Sequence, residues 1–153
     1  MNAMLIVNPS SGPWDVRREI PNVLKHLEKG GWQVDLYWTE SSGEATRLAW
    51  QARDQGIGTV FVVGGDGTIN EVINGLAESP VALGVLPGGT GNVWAKALGL
   101  PTRSPLHWSP LVDAVKALLP GTVRRIDLGR ANGRYFLQWT GIGLDAEVTY
   151  AME

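Results

Sequence analysis

Two glycine-rich turns, Gly64-Gly65-Asp66-Gly67-Thr68 and Gly88-Gly89-Thr90-Gly91-Asn92, constrain this chain more than any other feature. Each follows a short apolar run, Thr59 to Val63 and Val81 to Leu86, and each opens a helix-like segment. Glycine admits backbone conformations closed to other residues and lets bare N–H groups approach an anion. A helix N-terminus behind such a turn adds aligned amide donors and partial positive charge. One such turn is a weak signal. Two on adjacent βα units suggest a phosphate-binding crevice, with Asp66 placed to meet a metal ion or a proton.

The flanking sequence repeats the same alternation. Met4 to Val7 reads as a buried strand ended by Asn8-Pro9-Ser10-Ser11-Gly12, and a helix follows from about Asp15 to Lys29, stopped by Gly30-Gly31. Gln33 to Trp38 reads as the second strand and Glu44 to Gln55 as the second helix, with Gly56 as its stop. The strand around Val60 leads through the first glycine turn to a helix from about Ile69 to Ala77. The strand around Leu83 leads through the second to a helix ending near Leu98. Residues 99–110 hold three prolines and read as a loop, and Leu111 to Leu119 reads as a last helix. Val123 to Gly129 and Arg134 to Thr140 then alternate around Ala131-Asn132-Gly133, a tight-hairpin signal. A further strand is expected over Gly141 to Glu147. The fold class is therefore α/β, a three-layer domain around a parallel sheet over residues 1–122. Residues 123–153 read as a β-hairpin and the start of a second β-rich domain. In such a sheet ligands bind beyond the strand C-termini, where both glycine turns lie.

Composition excludes several classes. The 153 residues suit one domain with a real core, and a net charge of −2 gives no basic footprint for nucleic acid. Cysteine is absent, which removes disulfides and thiolate metal sites and fits a reducing compartment. No run reaches the roughly 18 apolar residues of a membrane span, and no charged-then-apolar leader opens the chain. These features fit a cytoplasmic protein. Seven tryptophans are many for this length; most are expected in the core, with Trp94 and Trp108 as the surface candidates. No nucleophile elbow, Walker motif or clean dinucleotide fingerprint occurs. His26 and His107 are expected to be solvated.

The residues of the turns each admit more than one role. Gly64, Gly65 and Gly67 can bring amides against phosphates, and Gly88, Gly89, Thr90 and Asn92 repeat the arrangement. Thr68 sits where a helix begins, so its hydroxyl can cap that helix or bind a phosphate oxygen. Asp66 beside a polyphosphate is repulsive unless Mg²⁺ or a shared proton intervenes; a turn-stabilising role is the alternative. Asn70 and Glu71 lie in the expected first helical turn, where a negative side chain also suits the dipole. Asn8 and Thr39 end neighbouring strands and can contact adenine, ribose or phosphate.

The run from Val62 to Leu76, VVGGDGTINEVINGL, resembles the nucleotide-binding motif of the diacylglycerol kinase catalytic domain family, which includes bacterial lipid kinases and sphingosine and ceramide kinases. Asn8 to Gly12, Thr39 with Gly43-Glu44-Ala45, Leu86 to Asn92, Ile126 to Gly129 and Gly141 to Ala146 resemble the flanking motifs in order. The resemblance implies an ATP-dependent lipid kinase that uses Mg²⁺ and acts on diacylglycerol or a related lipid at a membrane surface. It implies Asp66 as the catalytic or metal-linked acid, Glu71 at the nucleotide site, and Asp127 holding Mg²⁺ through water together with Asp66. Asp145 belongs to a family signature without a clear role. The family commonly places Asp after the Asn of the second turn; here Val93 stands there. The resemblance further implies a second, mainly β domain, with the lipid cleft between the two. A homodimer is left open. The rival readings are a kinase like NAD kinase, which shares the GGDGT turn, and a nucleotide-binding module without transfer activity.

Overall fold

The computed structural model describes residues 1–104 and 109–138. The expected strand over Gly141 to Glu147, the end of the second hairpin strand, His107, Trp108 and Asp145 lie outside these residues.

Four apolar runs form one parallel sheet: β1 (Asn2–Val7), β2 (Gln33–Trp38), β3 (Thr59–Gly64) and β4 (Ala82–Pro87), in the order β2-β1-β3-β4. Because β1 lies between β2 and β3, the chain reverses direction across the sheet at β1, and a crevice opens at the strand C-termini there. Strand side chains alternate between faces. Met4, Ile6, Val60, Val62 and Val85 pack on α2 (Glu44–Asp54) and α3 (Asp66–Leu76). Leu5, Val7, Phe61, Val63 and Leu86 pack on α1 (Ile20–Lys29) and α5 (Pro110–Leu118). Burying both faces gives the three expected layers. Strand β4 is followed by α4 (Val93–Ala97), a helix of 5 residues.

The boundaries differ from expectation where glycine or proline acts. The first helix splits into a 3-10 turn over Val16–Arg18 and α1, which starts with Ile20-Pro21. Helix α3 starts at Asp66, three residues before the expected Ile69. Gly65 is extended (φ −87°, ψ −178°) and accepts the first helical bond from the Ile69 amide at 3.0 Å, so Asp66-Gly67-Thr68 forms the first helical turn. A Cβ on Gly64 would stand 2.6 Å from Thr68 Cβ, so only glycine lets the helix leave the strand this abruptly. Residues 121–128 form no strand; the antiparallel hairpin is confined to β5 (Gly129–Ala131) and β6 (Arg134–Phe136). Its turn has Asn132 and Gly133 at positive φ, as the Asn-Gly step predicts.

Candidate functional site

A cleft of about 610 Å³ opens at the C-terminal edge of the sheet, over the β1/β3 reversal. Its lining includes Asn8 and Ser11 after β1, Thr39 to Ser42 after β2, and Gly65 to Thr68 with Glu71 from α3. Thr90 and Gly91 close one side. The edge loops are held to the sheet by backbone bonds: the Asn8 amide donates to Val63 O and the Thr39 amide to Val7 O, both at 2.9 Å.

Inside the cleft the Asn8 side-chain amide donates to Thr68 Oγ1 at 2.8 Å, while Asn8 Oδ1 accepts from the Ser10 amide at 2.9 Å. Thr68 therefore does not cap α3; its buried hydroxyl is set by Asn8. The N-cap residue of α3 is Gly65, which has no side chain to offer, and among the described residues no side chain accepts from the helix's first amides. The first amides of a helix have no intrahelical acceptor, so those of Asp66, Gly67 and Thr68 are donors looking for an anion. Glu71 lines the cleft and its Oε1 accepts from Ser42 Oγ at 3.4 Å. With α3 starting at Asp66, Glu71 falls in the second helical turn, beyond the reach of the dipole argument. At the far side, the Glu44 carboxylate accepts from the Glu40 amide at 2.8 Å, a bond that, with Arg47, holds its pKa below the usual 4.5.

Asp66 does two things at once. Its carboxylate faces the cleft, and it caps α4 by accepting from the Val93 amide (Oδ2, 3.1 Å) and the Trp94 amide (Oδ1, 3.2 Å). Gln138 Nε2 donates to Oδ1 at 3.3 Å. An ionised carboxylate offers about four acceptor positions, so three bonds leave capacity for one further partner. The stabilising role thus leaves room for a chemical one. At Val93, where the resembling pattern has Asp, the side chain contributes no acid but the backbone amide fixes Asp66.

The remaining expected residues divide. Asn8, Thr39, Gly65, Gly67, Thr68, Glu71 and Thr90 lie together around the cleft with Asp66. Gly64, Gly88 and Gly89 are buried beneath it, and Asn92 is turned away, exchanging bonds with the Gly89 backbone (Oδ1 from N at 2.9 Å, Nδ2 to O at 2.6 Å). Asp127 is exposed on the irregular stretch and does not line the cleft. Among the described residues no group of three His, Cys, Asp or Glu side chains could hold a metal. Trp94, expected at the surface, packs against the core; among the described residues the exposed tryptophans are Trp14, Trp38 and Trp50. Sequence reasoning missed Glu40, Ser41 and Ser42, which follow β2 as Asn8 follows β1; their position at the strand end was the available signal.

The geometry defines a three-layer α/β domain with a cleft at the strand C-termini, and solved structures share the fold. The crystal structure of a diacylglycerol kinase from Bacillus anthracis superposes with a TM-score of 0.80 at 31% identity, covering 99% of this chain and 50% of that one. Diacylglycerol kinases of Staphylococcus saprophyticus and Staphylococcus aureus are 39% and 37% identical over 150 residues, 97% of this chain. The chain spans about half the length of these relatives, 47% and 45%. The model of the diacylglycerol kinase catalytic domain matches residues 2–131. The chain belongs to the diacylglycerol kinase catalytic domain family.

Proposed function

We propose that this chain is the nucleotide-binding part of an ATP-dependent lipid kinase, which moves the ATP γ-phosphoryl group to a hydroxyl of diacylglycerol or a related lipid. The observation that carries the reading is the uncapped N-terminus of α3, opening with its Asp66 carboxylate into a cleft lined by Asn8, Thr39, Thr68 and Thr90. The charged side chains of that lining, Glu40, Asp66 and Glu71, are all acidic. A bare polyphosphate would be repelled there, whereas a Mg²⁺-nucleotide fits. Bound Mg²⁺ would supply charge neutralisation on the phosphates. Asp66 would hold it; Asp127, the other expected acid, does not line the cleft.

Phosphoryl transfer asks mainly for positioning and electrostatic stabilisation. The amides of Gly65 to Thr68 would receive phosphate oxygens, Asn8 and Thr39 the sugar or base, and Glu71 the nucleotide's outer face. Asp66, held by the α4 amides, would also take the proton of the acceptor hydroxyl. Residues 1–122 are assigned to this domain and residues 123–153 to the approach to a β-rich domain that would complete the lipid cleft. The relatives' greater length supports that division. Contact with the membrane would be peripheral, from the cytoplasm. Exposed Trp14 and Trp38, stacked by Arg103 at 5.1 Å and Arg17 at 6.0 Å, suit a membrane–water interface.

The test incubates this chain, and the full reading frame containing it, with Mg²⁺, labelled ATP and either lipid micelles or NAD. Label in the lipid with the longer protein is the expected result, and Asp66→Asn should lower that transfer by about 100-fold. Label in NAD would replace the lipid reading. ATP binding without transfer would leave a binding module.

A further inference from the structure

The hairpin lies along α3, and one side chain of that helix exchanges bonds with its backbone. Asn74, in the last turn of α3, donates through Nδ2 to Tyr135 O and accepts at Oδ1 from the Tyr135 amide, both at 2.9 Å. This is the exchange a neighbouring strand would make with β6. The amide's orientation is set by a second Nδ2 bond to Asn70 O at 2.8 Å. Beyond it, Tyr135 Oη meets Glu78 Oε1 at 2.5 Å, and Tyr135 and Leu137 pack on the core beside α3. From Asn74 the chain runs back along the helix toward its start. Asn74 to Asp66 is eight helical residues, about 12 Å, and Tyr135 to Gln138 covers about 10 Å when extended. The clamp at Asn74 therefore delivers Gln138 to Asp66, where its Nε2 donates to Oδ1 at 3.3 Å.

We propose that Gln138 is a positioning residue for Asp66, held in register by Asn74, so that the chain leaving the hairpin sets the orientation of the acidic group in the cleft. The α4 amides fix Asp66 from one side and Gln138 fixes it from another, which leaves its free acceptor position in a single direction. Only the amide nitrogen of Gln138 suits this place, because its oxygen would face a carboxylate. The inference rests on the nucleotide reading for its consequence, but not for its geometry.

Both parts are measured on the 153-residue chain. The side-chain amide resonances of Gln138 are recorded by ¹H–¹⁵N NMR in the wild type, in Asp66→Asn and in Asn74→Ala. Both substitutions are expected to shift them; resonances unmoved by Asp66→Asn would overturn the proposal whatever the chain binds. Calorimetry then compares Mg²⁺-ATP with ATP in EDTA. Gln138→Leu is expected to weaken Mg²⁺-ATP by about tenfold, a typical effect of losing a group that orients a metal ligand, and to leave metal-free ATP unchanged. Asn74→Ala combined with Gln138→Leu should be no worse than the weaker single variant. Equal weakening with and without Mg²⁺ would show a merely structural role and overturn it. If the wild type binds no Mg²⁺-ATP, the nucleotide reading fails, and the NMR comparison alone decides the contact.

Discussion

The two glycine turns look alike in sequence and do opposite jobs in the structure. The first opens an 11-residue helix, leaves that helix uncapped, and presents Gly67 and its neighbours to the cleft. The second opens a helix of 5 residues whose first amides are already taken by Asp66. Its own Asn92, at φ 49°, closes the turn on itself through Gly89. On the proposed reading one turn is a cradle and the other a brace. The lesson is that a glycine turn before a helix offers an anion site only when nothing in the protein has claimed its donors.

The contrast can be broken most severely at Gly89. A Cβ there would stand 2.4 Å from Gly65 Cα, backbone that cannot yield without separating the turns. Gly89→Ala should lose about 3 kcal/mol or more in urea denaturation; a near-neutral result would mean that the turns are not in contact. Asn92→Ala comes next. It leaves the buried Gly89 N–H and C=O unpaired and puts alanine in a left-handed conformation, so a loss of about 2 kcal/mol is expected. Nucleotide affinity of the folded fraction should change little.

Gly67→Ala sharpens the comparison from the other side. Nothing lies within 4 Å of a Cβ at Gly67, and alanine is the better helix residue by about 0.5–1 kcal/mol. The variant should melt higher than wild type yet bind Mg²⁺-ATP more weakly, because the new methyl enters the cradle. Weaker binding without a gain in stability would place Gly67 outside regular helix.

The smallest effect concerns Glu19, behind the brace. Its buried carboxylate meets Arg103 at 2.8 Å and the Leu111 amide at 3.3 Å, tying α1 to α5. Burial raises its pKa above 4.5 despite Arg103. The folded state thus holds this proton more tightly than the unfolded chain does. Its contribution is full below 4.5 and declines as pH rises through the raised value. Denaturation across that window should show the decline in wild type and its loss in Glu19→Gln.

Much of this was legible in the sequence. The four strands of the parallel sheet matched within two residues because apolar runs bounded by turn residues leave few alternatives, and the Asn-Gly step located the hairpin turn. The start of α3 was not legible, since Asp66-Gly67-Thr68 has turn composition and becomes helical only where Gly64 allows Thr68 to pack over the strand end. Asp66 was readable as the acid of the proposed phosphate site, but its capping of α4 joins residues 27 and 28 positions away. Gln138 lies 72 positions from Asp66, and no local pattern marks such a contact. The stretch from Val123 to Leu128 alternates like a strand yet finds no partner strand among the described residues, so it stays irregular.

The most direct test of a cradle beside a brace is a crystal structure of this chain grown with Mg²⁺ and ATP. Phosphate oxygens are expected on the amides of Gly65 to Thr68, with the cation on Asp66 and the Asn92–Gly89 bonds intact. Phosphates seated instead on the amides of Gly88 and Gly89, with Asn92 displaced, would contradict that expectation.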